Sequence, residues 1–366
     1  MTNHPLDVLI ATPLGKGGMG GIDRIMDEVR AVARRKPDAR VRVRFSTTRG
    51  QGSILLAPLH LTLFLLRMTL LKVSGRIDVL HINLSSHGSV RRKTVAARWA
   101  RLLGIPYIIH LHGSRFRQFW NESPARRAGG IAAMFASASR IIVLGNVWES
   151  FISEKVPGVA KRIVIVPNAT PKPVLAPVKD ESDSLRILFL GKIGARKGVP
   201  QLVEALSMLP KDGTWRAIIA GDGDVEATRQ EIERLALSDY VTLPGWVGPS
   251  QVADLLSRSD VLVLPSFDEN LPMSVIEGMA AGLAVVATPV GAVEDIITHG
   301  KTGLLVPPGD AKAIAASISL LLQQPQMRKD LGENAKRLHA AKLEISMYFE
   351  RLVEVWTGKQ TNTDSS

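Results

Sequence analysis

The sequence contains no cysteine, which excludes a disulfide framework, thiolate metal sites and cysteine nucleophiles. Aromatic residues are scarce, at 5% of the chain. There is also no recognisable nucleic-acid motif and no basic tail, so nucleic acid is not the expected partner despite a net charge of +12. Neither half holds a full Gly-x-Gly-x-x-Gly with an acid about 20 residues later, which disfavours a dinucleotide dehydrogenase. The opening "MTNHPLDVLIATP" lacks the charged-then-apolar pattern of an export signal and reads as a first strand, so a cytoplasmic location is expected. An unbroken membrane span is missing too. "ILLAPLHLTLFLLRMTLLKV" (54–73) is almost long enough, but Pro58, His60, Arg67 and Lys72 interrupt it. Arg or Lys at mid-span costs about 2.5–3.5 kcal/mol, so this stretch is expected to be a buried or interfacial helix.

What is present is an apolar fraction of 45% in 366 residues, enough for two domains with ordinary cores. The charge is divided unevenly. Residues 1–170 carry 26 Lys and Arg against 9 Asp and Glu, whereas the remainder carries 20 against 25. Basic side chains concentrate in "VRAVARRKPDARVRVRF" (29–45) and "SVRRKTVAARWAR" (89–101). A basic face beside a long apolar helix suits an anionic membrane surface. A merely solvated basic face is the alternative.

Short, continuously apolar strands alternate with helical patterns along the chain. "DVLIAT" (7–12) precedes the glycine-rich "GKGGMGG" (15–21), and "IDVLHI" (77–82), "PYIIHLH" (106–112), "RIIVLG" (140–145) and "RIVIVPN" (162–168) follow. Such strands imply a parallel sheet covered on both faces. "NATPKPVLAPVKDESDS" (168–184) has no periodicity and reads as a linker. A second series runs through "RILFLGK" (186–192), "WRAIIAGDG" (215–223), "YVTLPGW" (240–246), "DVLVLPS" (260–266) and "LAVVATP" (283–289) to a helix at about 310–323. The fold class is therefore α/β, with two doubly wound Rossmann-like domains facing a central cleft. The expected division is a first domain at 1–170, a linker at 171–184, a second domain at 185–341, a helix at about 342–357 that crosses back onto the first domain and a disordered tail at 358–366. In such sheets ligands sit at the carboxyl ends of the strands.

"DENLPMSVIEGMAA" (268–281) presents a chemical problem. Pro272 suits the first turn of a helix, which is expected to run from there to about Ala281, with Gly282 as a left-handed cap. Glu277 then lies in its second turn among Val275, Ile276, Gly278 and Met279, while Glu269 lies on the loop leading in. A carboxylate in so apolar a helix needs hydrogen-bond donors, and a ligand is one source of them.

"LGKIGARKG", "AGDGD", "LPGW", "SDVLVLPSFDENLPMSVIEGMAAGLAVVAT" and "GLLVPPGD" occur in the order found in family 4 retaining glycosyltransferases, enzymes of the two-domain GT-B architecture. The first half resembles that family through its glycine loop, "IIHLHGSRF", "RIIVLGN" and "IVIVPNAT". The resemblance implies a nucleotide-diphosphate sugar as donor, no cofactor and no metal. It gives Glu277 the ribose hydroxyls, which suits an acceptor-only carboxylate facing a vicinal diol. Glu269 falls beside the transferred sugar, holding a hydroxyl or stabilising an oxocarbenium-like state. Leu271, Pro272 and Met273 open a helix whose N-terminus faces the donor phosphate. Lys192, where the family usually has arginine, and Lys197 neutralise the diphosphate, with Gly191 beside them. Asn270 replaces the usual glycine; asparagine tolerates the left-handed backbone the loop would then need.

In the first half, Gly17 and Gly18 match a loop that approaches the donor phosphates or the acceptor, and His112 matches a histidine contacting the donor sugar. His110 alternates to the other side of its strand and reads as structural. Arg115, Arg117 and the cluster at 91–93 suit the phosphates of a lipid-linked acceptor or a solvated face. "DGD" (222–224) reads as a tight turn into a helix and not as a metal-binding Asp-x-Asp. The expected activity is a metal-independent hexosyl transfer to an acceptor hydroxyl. A polyprenyl-diphosphate-linked saccharide in polysaccharide assembly is the expected acceptor, met at the inner face of the cytoplasmic membrane. A sugar phosphorylase, a nucleotide-sugar epimerase and a non-catalytic nucleotide-sugar binder remain as alternatives.

Overall fold

The computed structural model describes residues 4–18, 20–173 and 184–358. Two units result: residues 1–169 with 345–366, and residues 170–344. The greater part of the expected linker (174–183), like 359–366 of the tail, lies outside the described residues.

The first unit holds a parallel sheet of β1 (Leu6–Thr12), β2 (Val41–Thr47), β3 (Val79–Leu84), β4 (Tyr107–Leu111), β5 (Arg140–Val143) and β6 (Ile163–Ile165), in the order β2-β1-β3-β4-β5-β6. Every residue of β3 and β4 is buried, as continuous apolar strands require when helices cover both faces. Each fully buried aliphatic side chain such as Ile10, Ile82 or Ile109 contributes about 1.5–3 kcal/mol. β2 was hidden in a run read only for its charge. The alternation in "VRVRF" is its signal, and Arg44 pairs there with Asp7 of β1.

α1 (Gly21–Arg35), α2 (Ala57–Val73), α3 (Gly88–Leu102), α4 (Phe116–Asn121), α5 (Ala125–Ala136) and α6 (Asn146–Lys155) complete the first series. Of the two expectations for 54–73, a buried or an interfacial helix, α2 excludes the buried one. Only Ala57, Phe64 and Met68 are buried, while Leu59 is 56% and Leu70 is 70% exposed. With the 3-10 turn that precedes it, α2 forms a helical stretch, Ile54–Val73, long and apolar enough to cross a membrane by length and composition, and only 17% of its apolar window is buried within the protein.

The second unit has β7 (Leu185–Leu190), α7 (Val199–Ser207), β8 (Trp215–Ala220), α8 (Val225–Arg234), β9 (Val241–Gly245), α9 (Pro249–Ser257), β10 (Val261–Leu264), α10 (Met273–Ala281), β11 (Ala284–Ala287), β12 (Leu304–Leu305), α11 (Ala311–Gln323) and α12 (Pro325–Leu338). Its sheet order is β12-β11-β10-β7-β8-β9, so the direction of winding reverses between β7 and β10. α13 (Ile345–Thr357) belongs to the first unit. There Trp356 donates its indole N–H to His81 Nδ1 at 3.0 Å. Residues 343 and 344 stay with the second unit, because Thr170 N–H donates to the Leu343 carbonyl at 3.1 Å and Thr170 bridges Glu344.

Candidate active site

A doubly wound sheet offers a ligand the crevice where its winding reverses, at the carboxyl ends of the strands. In the second unit that place lies after β7 and β10, where "GKIGARKG" and "SFDENLP" follow the strands. The 3-10 turn Ala195–Lys197 is tied to the opposite loop by two bonds. Phe267 N–H donates to the Arg196 carbonyl at 2.9 Å, and Arg196 Nη1 donates to the Asp268 carbonyl at 2.8 Å. Lys197 Nζ then pairs with Glu269 Oε1, which also accepts from Ser266 Oγ at 2.9 Å. Both side chains of the ion pair are largely buried, with 13% and 9% exposed. Lys197 is thus occupied by Glu269 in this structure, whereas Lys192 is exposed. Arg196, through its carbonyl and its guanidinium, fixes the loop.

α10 begins at Met273 after Pro272 at the N-cap and ends before Gly282, whose φ of +82° supplies the left-handed cap, as its Pro and Gly imply. Backbone amides of the first turn have no partner inside a helix, and their aligned dipoles favour an anion there. Glu277 is half-buried in the second turn. Its neighbour Gly278 allows α10 to lie close on β10, since a Cβ there would sit 3.2 Å from Leu262 Cβ.

Asn270 is a correction. Among the described non-glycine residues only His87 and Ala236 have positive φ, so Asn270 does not take the left-handed conformation. The strained position falls instead on Gly291 (φ +63°), where a Cβ would stand 2.3 Å from the carbonyl oxygens of both Glu269 and Asn270. The Asn270 carbonyl accepts from Ala292 N–H at 2.7 Å. Gly291 and Ser266 therefore hold the Glu269 loop. "PVG" shortly after an apolar strand was a turn signal for the first; nothing in the sequence marks the second.

Asp222–Asp224 form the expected turn between β8 and α8. Gly223 lies against Ile193, with Ile193 N–H donating to the Asp222 carbonyl at 2.6 Å. No group of three or more His, Cys, Asp or Glu that could hold a metal occurs among the described residues.

In the first unit the glycine loop is held from within. Asp23, buried at the start of α1, accepts from Leu14 and Gly15 N–H at 3.0 and 2.9 Å. Asp27 accepts from Gly17 N–H at 2.7 Å, and Gly18 N–H donates to the Gly15 carbonyl at 3.1 Å. The amides of Gly17 and Gly18 are therefore engaged by the protein; what these residues add is positive φ at Gly17 and close packing on Asp23 at Gly18.

His112 follows β4 and is half-buried. Asn83 Nδ2 donates to the Ala11 carbonyl at 3.3 Å, which turns Asn83 Oδ1 toward His112 Nε2 at 2.9 Å. Nε2 thus carries the proton and Nδ1 is the acceptor. Loss of solvation, helped by His81, pushes the His112 pKa down to about 3, so the ring is neutral at pH 7. His110, expected to be structural, is fully buried, lies against His112 with ring centroids 4.0 Å apart and planes tilted by 34°, and has Nδ1 3.3 Å from His81 Nε2.

Two family models match the chain, one described as a glycosyl transferase 4-like domain over residues 4–169 and one as glycosyl transferases group 1 over residues 176–338. The chain is 27% identical to alpha-D-kanosaminyltransferase of Streptomyces kanamyceticus, covering 70% of this chain and 72% of that protein. It is 32% identical to the putative colanic acid biosynthesis glycosyltransferase WcaL of Escherichia coli, over 42% and 39% of the two chains. The crystal structure of Anabaena HepE in complex with UDP and glucose has the same fold, with a TM-score of 0.76 at 17% identity over 96% of this chain and 100% of that one. With both sheets matched in order by one family's two domains, the chain belongs to the family-4-type glycosyltransferases of GT-B architecture.

Proposed function

We propose that this glycosyltransferase moves a sugar, with retention at the anomeric carbon, from a nucleotide-diphosphate donor to a hydroxyl of a lipid-linked saccharide, and that it needs no metal. The observation that carries the reading is the cluster of Lys197, Glu269 and Ser266 at the reversal of the second sheet, on the loop that opens α10. A cation and unpartnered helix amides at one point suit a leaving diphosphate, whose growing charge they would stabilise in place of a metal ion. In this reading Lys192 and Lys197 take the diphosphate with Gly191, Leu271, Pro272 and Met273 around it, and Glu277 takes the ribose diol. Arrival of the diphosphate draws Lys197 from Glu269 and frees that carboxylate for the sugar, while neutral His112 contacts a sugar hydroxyl. The UDP seen with HepE makes uridine a first candidate base, and the colanic acid relative is in keeping with polysaccharide assembly.

We also propose a peripheral seat on the inner face of the cytoplasmic membrane, through α2. Leu56, Leu59, Leu63, Leu66, Leu70 and Val73 are all exposed, and their alternating spacing of three and four lines them along one side of the helix. Between Asp38 and Glu122 the only acid is Asp78, against many Arg and Lys. Two copies of such a surface would repel, whereas anionic lipid would attract it.

Calorimetry against UDP-, GDP- and ADP-sugars tests the donor. One of them should bind, Glu277→Ala should weaken it by about 2 kcal/mol or more through the lost charge-assisted bonds, and EDTA should leave turnover unchanged. Binding of none, or a Glu277→Ala variant that binds as well as the parent, overturns the reading.

A further inference from the structure

The first sheet also reverses its winding, between β1 and β3, and the loops at that edge carry a cluster that the donor chemistry does not use. The loop after β2 is zipped to the loop after β1: Thr48 N–H donates to the Thr12 carbonyl at 3.0 Å, and Arg49 and Gly50 N–H donate to the Pro13 carbonyl at 3.0 and 3.1 Å. Lys93, on α3 and 1% exposed, donates to Thr48 Oγ1 at 2.8 Å and to the Ala11 carbonyl at 3.3 Å. Those two bonds anchor Lys93 and place α3 against the ends of both strands.

Arg49 and Arg92 flank that bond in sequence, one next to Thr48 and one next to Lys93, and they are not satisfied. Both residues are half-buried and both Nε atoms are buried without a partner. Among the described residues neither guanidinium has an ion pair or a side-chain hydrogen bond. Burial, with the charge of Arg49 as the smaller cause, lowers the Arg92 pKa. Arg92 Nη1 lies over the start of α3, 3.2 Å from where a Cβ would stand at Gly88, and His87 just before it holds a φ of +53°, a costly value for a residue with a side chain. Two guanidiniums partly removed from water, close enough to repel and lacking a carboxylate, destabilise the empty protein. An anion with several oxygens would relieve both costs, and forked guanidinium donors match phosphate geometry.

We infer that Arg49 and Arg92 form a second anion seat, at the β1/β3 reversal of the first unit, which takes the phosphate or diphosphate of the acceptor. Assigning the anion to the acceptor rests on the function proposed above; the seat itself does not. The first turn of α3 adds its dipole from the Gly88 end. The seat lies one short loop before the apolar 3-10 turn Ile54–Leu56 and α2, so a phosphate carrying a hydrocarbon chain is the ligand class that matches both neighbours.

The full chain is titrated calorimetrically with inorganic pyrophosphate and with farnesyl diphosphate, while a nucleoside diphosphate saturates the donor site. Wild type should bind both. Arg49→Gln/Arg92→Gln should weaken binding at least about tenfold, since two charge-assisted contacts are lost. Arg98→Gln/Arg101→Gln, the same charge change at exposed positions of α3, should not. Tighter binding of farnesyl diphosphate than of pyrophosphate identifies a lipid phosphate; equal binding identifies a seat that reads the diphosphate alone, and either result supports it. Without ligand, Arg92→Gln should melt at the same temperature as wild type or higher, and pyrophosphate should raise the melting temperature of wild type only. The seat is overturned if wild type binds no pyrophosphate beside the saturated donor site, or if the two double variants lose affinity equally. If no nucleotide binds at all, the donor reading fails while the pyrophosphate titration still reports on the seat.

Discussion

Glu269 shows how much of a residue's chemistry lies outside its own sequence neighbourhood. Its loop is held by Gly291, and its carboxylate by Ser266 and by Lys197, 72 positions away. Two predictions belong at this scale. Lys197→Met leaves a buried carboxylate without its cation and should destabilise the second unit by about 3 kcal/mol. Lys197→Met/Glu269→Gln should recover most of that loss, which a double-mutant cycle by chemical denaturation would measure; additive losses would show that the pair is not coupled. Gly291→Ala places a methyl group 2.3 Å from two carbonyl oxygens at positive φ. It should cost about 2 kcal/mol or more and lower donor affinity by displacing Glu269; an unchanged melting temperature contradicts this.

The elements differ in how openly they declare themselves. α10 was bracketed by Pro272 and Gly282 in the sequence, because both residues act through their own backbone geometry. Its neighbour loop was misjudged at Asn270 because a left-handed residue was expected within the loop, whereas the structure places it on the facing segment. α2 was legible as a helix, with buried and interfacial settings both left open, since periodicity tells which residues share a face and not what covers that face. Replacing Leu63, Leu66 and Leu70 by serine should leave the melting temperature nearly unchanged, because all three are exposed. The same variant should lose most of its sedimentation with anionic vesicles at low salt. Equal pelleting of variant and parent would remove α2 as the membrane contact.

At the scale of the whole molecule, charge and protonation divide between the two halves. Residues 1–170 hold the basic excess, and the first unit also holds three histidines in one cluster. Trp356 can only donate to His81 Nδ1, so His81 Nε2 carries the proton and donates to His110 Nδ1. Burial pushes His81 down to about 3 and His110 well below its ordinary range, so both stay neutral when folded. An unfolded histidine takes up its proton near pH 6.5, whereas folded His81 does not until about pH 3 and folded His110 only well below the ordinary range. The unfolded chain therefore binds more protons in that window, and stability falls as pH falls through it. Each of the two buried rings should contribute a slope of up to about 1.4 kcal/mol per pH unit below 6.5. Denaturation at pH 7.5, 6 and 5 should show that slope in wild type and less of it in His110→Gln; parallel curves would contradict it.

The sequence alone determined what depends on nearest neighbours and on repeats: the alternation of apolar strands and helices, the two sheets, the bracketed α10 and the order of motifs that identified the family. Each of these is written in backbone preference or in a period along the chain. Only the tertiary structure decided which charges meet. Lys197 found Glu269, Arg49 and Arg92 were left without a carboxylate, the amides of Gly17 and Gly18 were taken up within the protein, and the leucines of α2 remained uncovered. Pairing, burial and desolvation are properties of the distances between residues far apart in the chain, and those distances exist only once the sheets have formed.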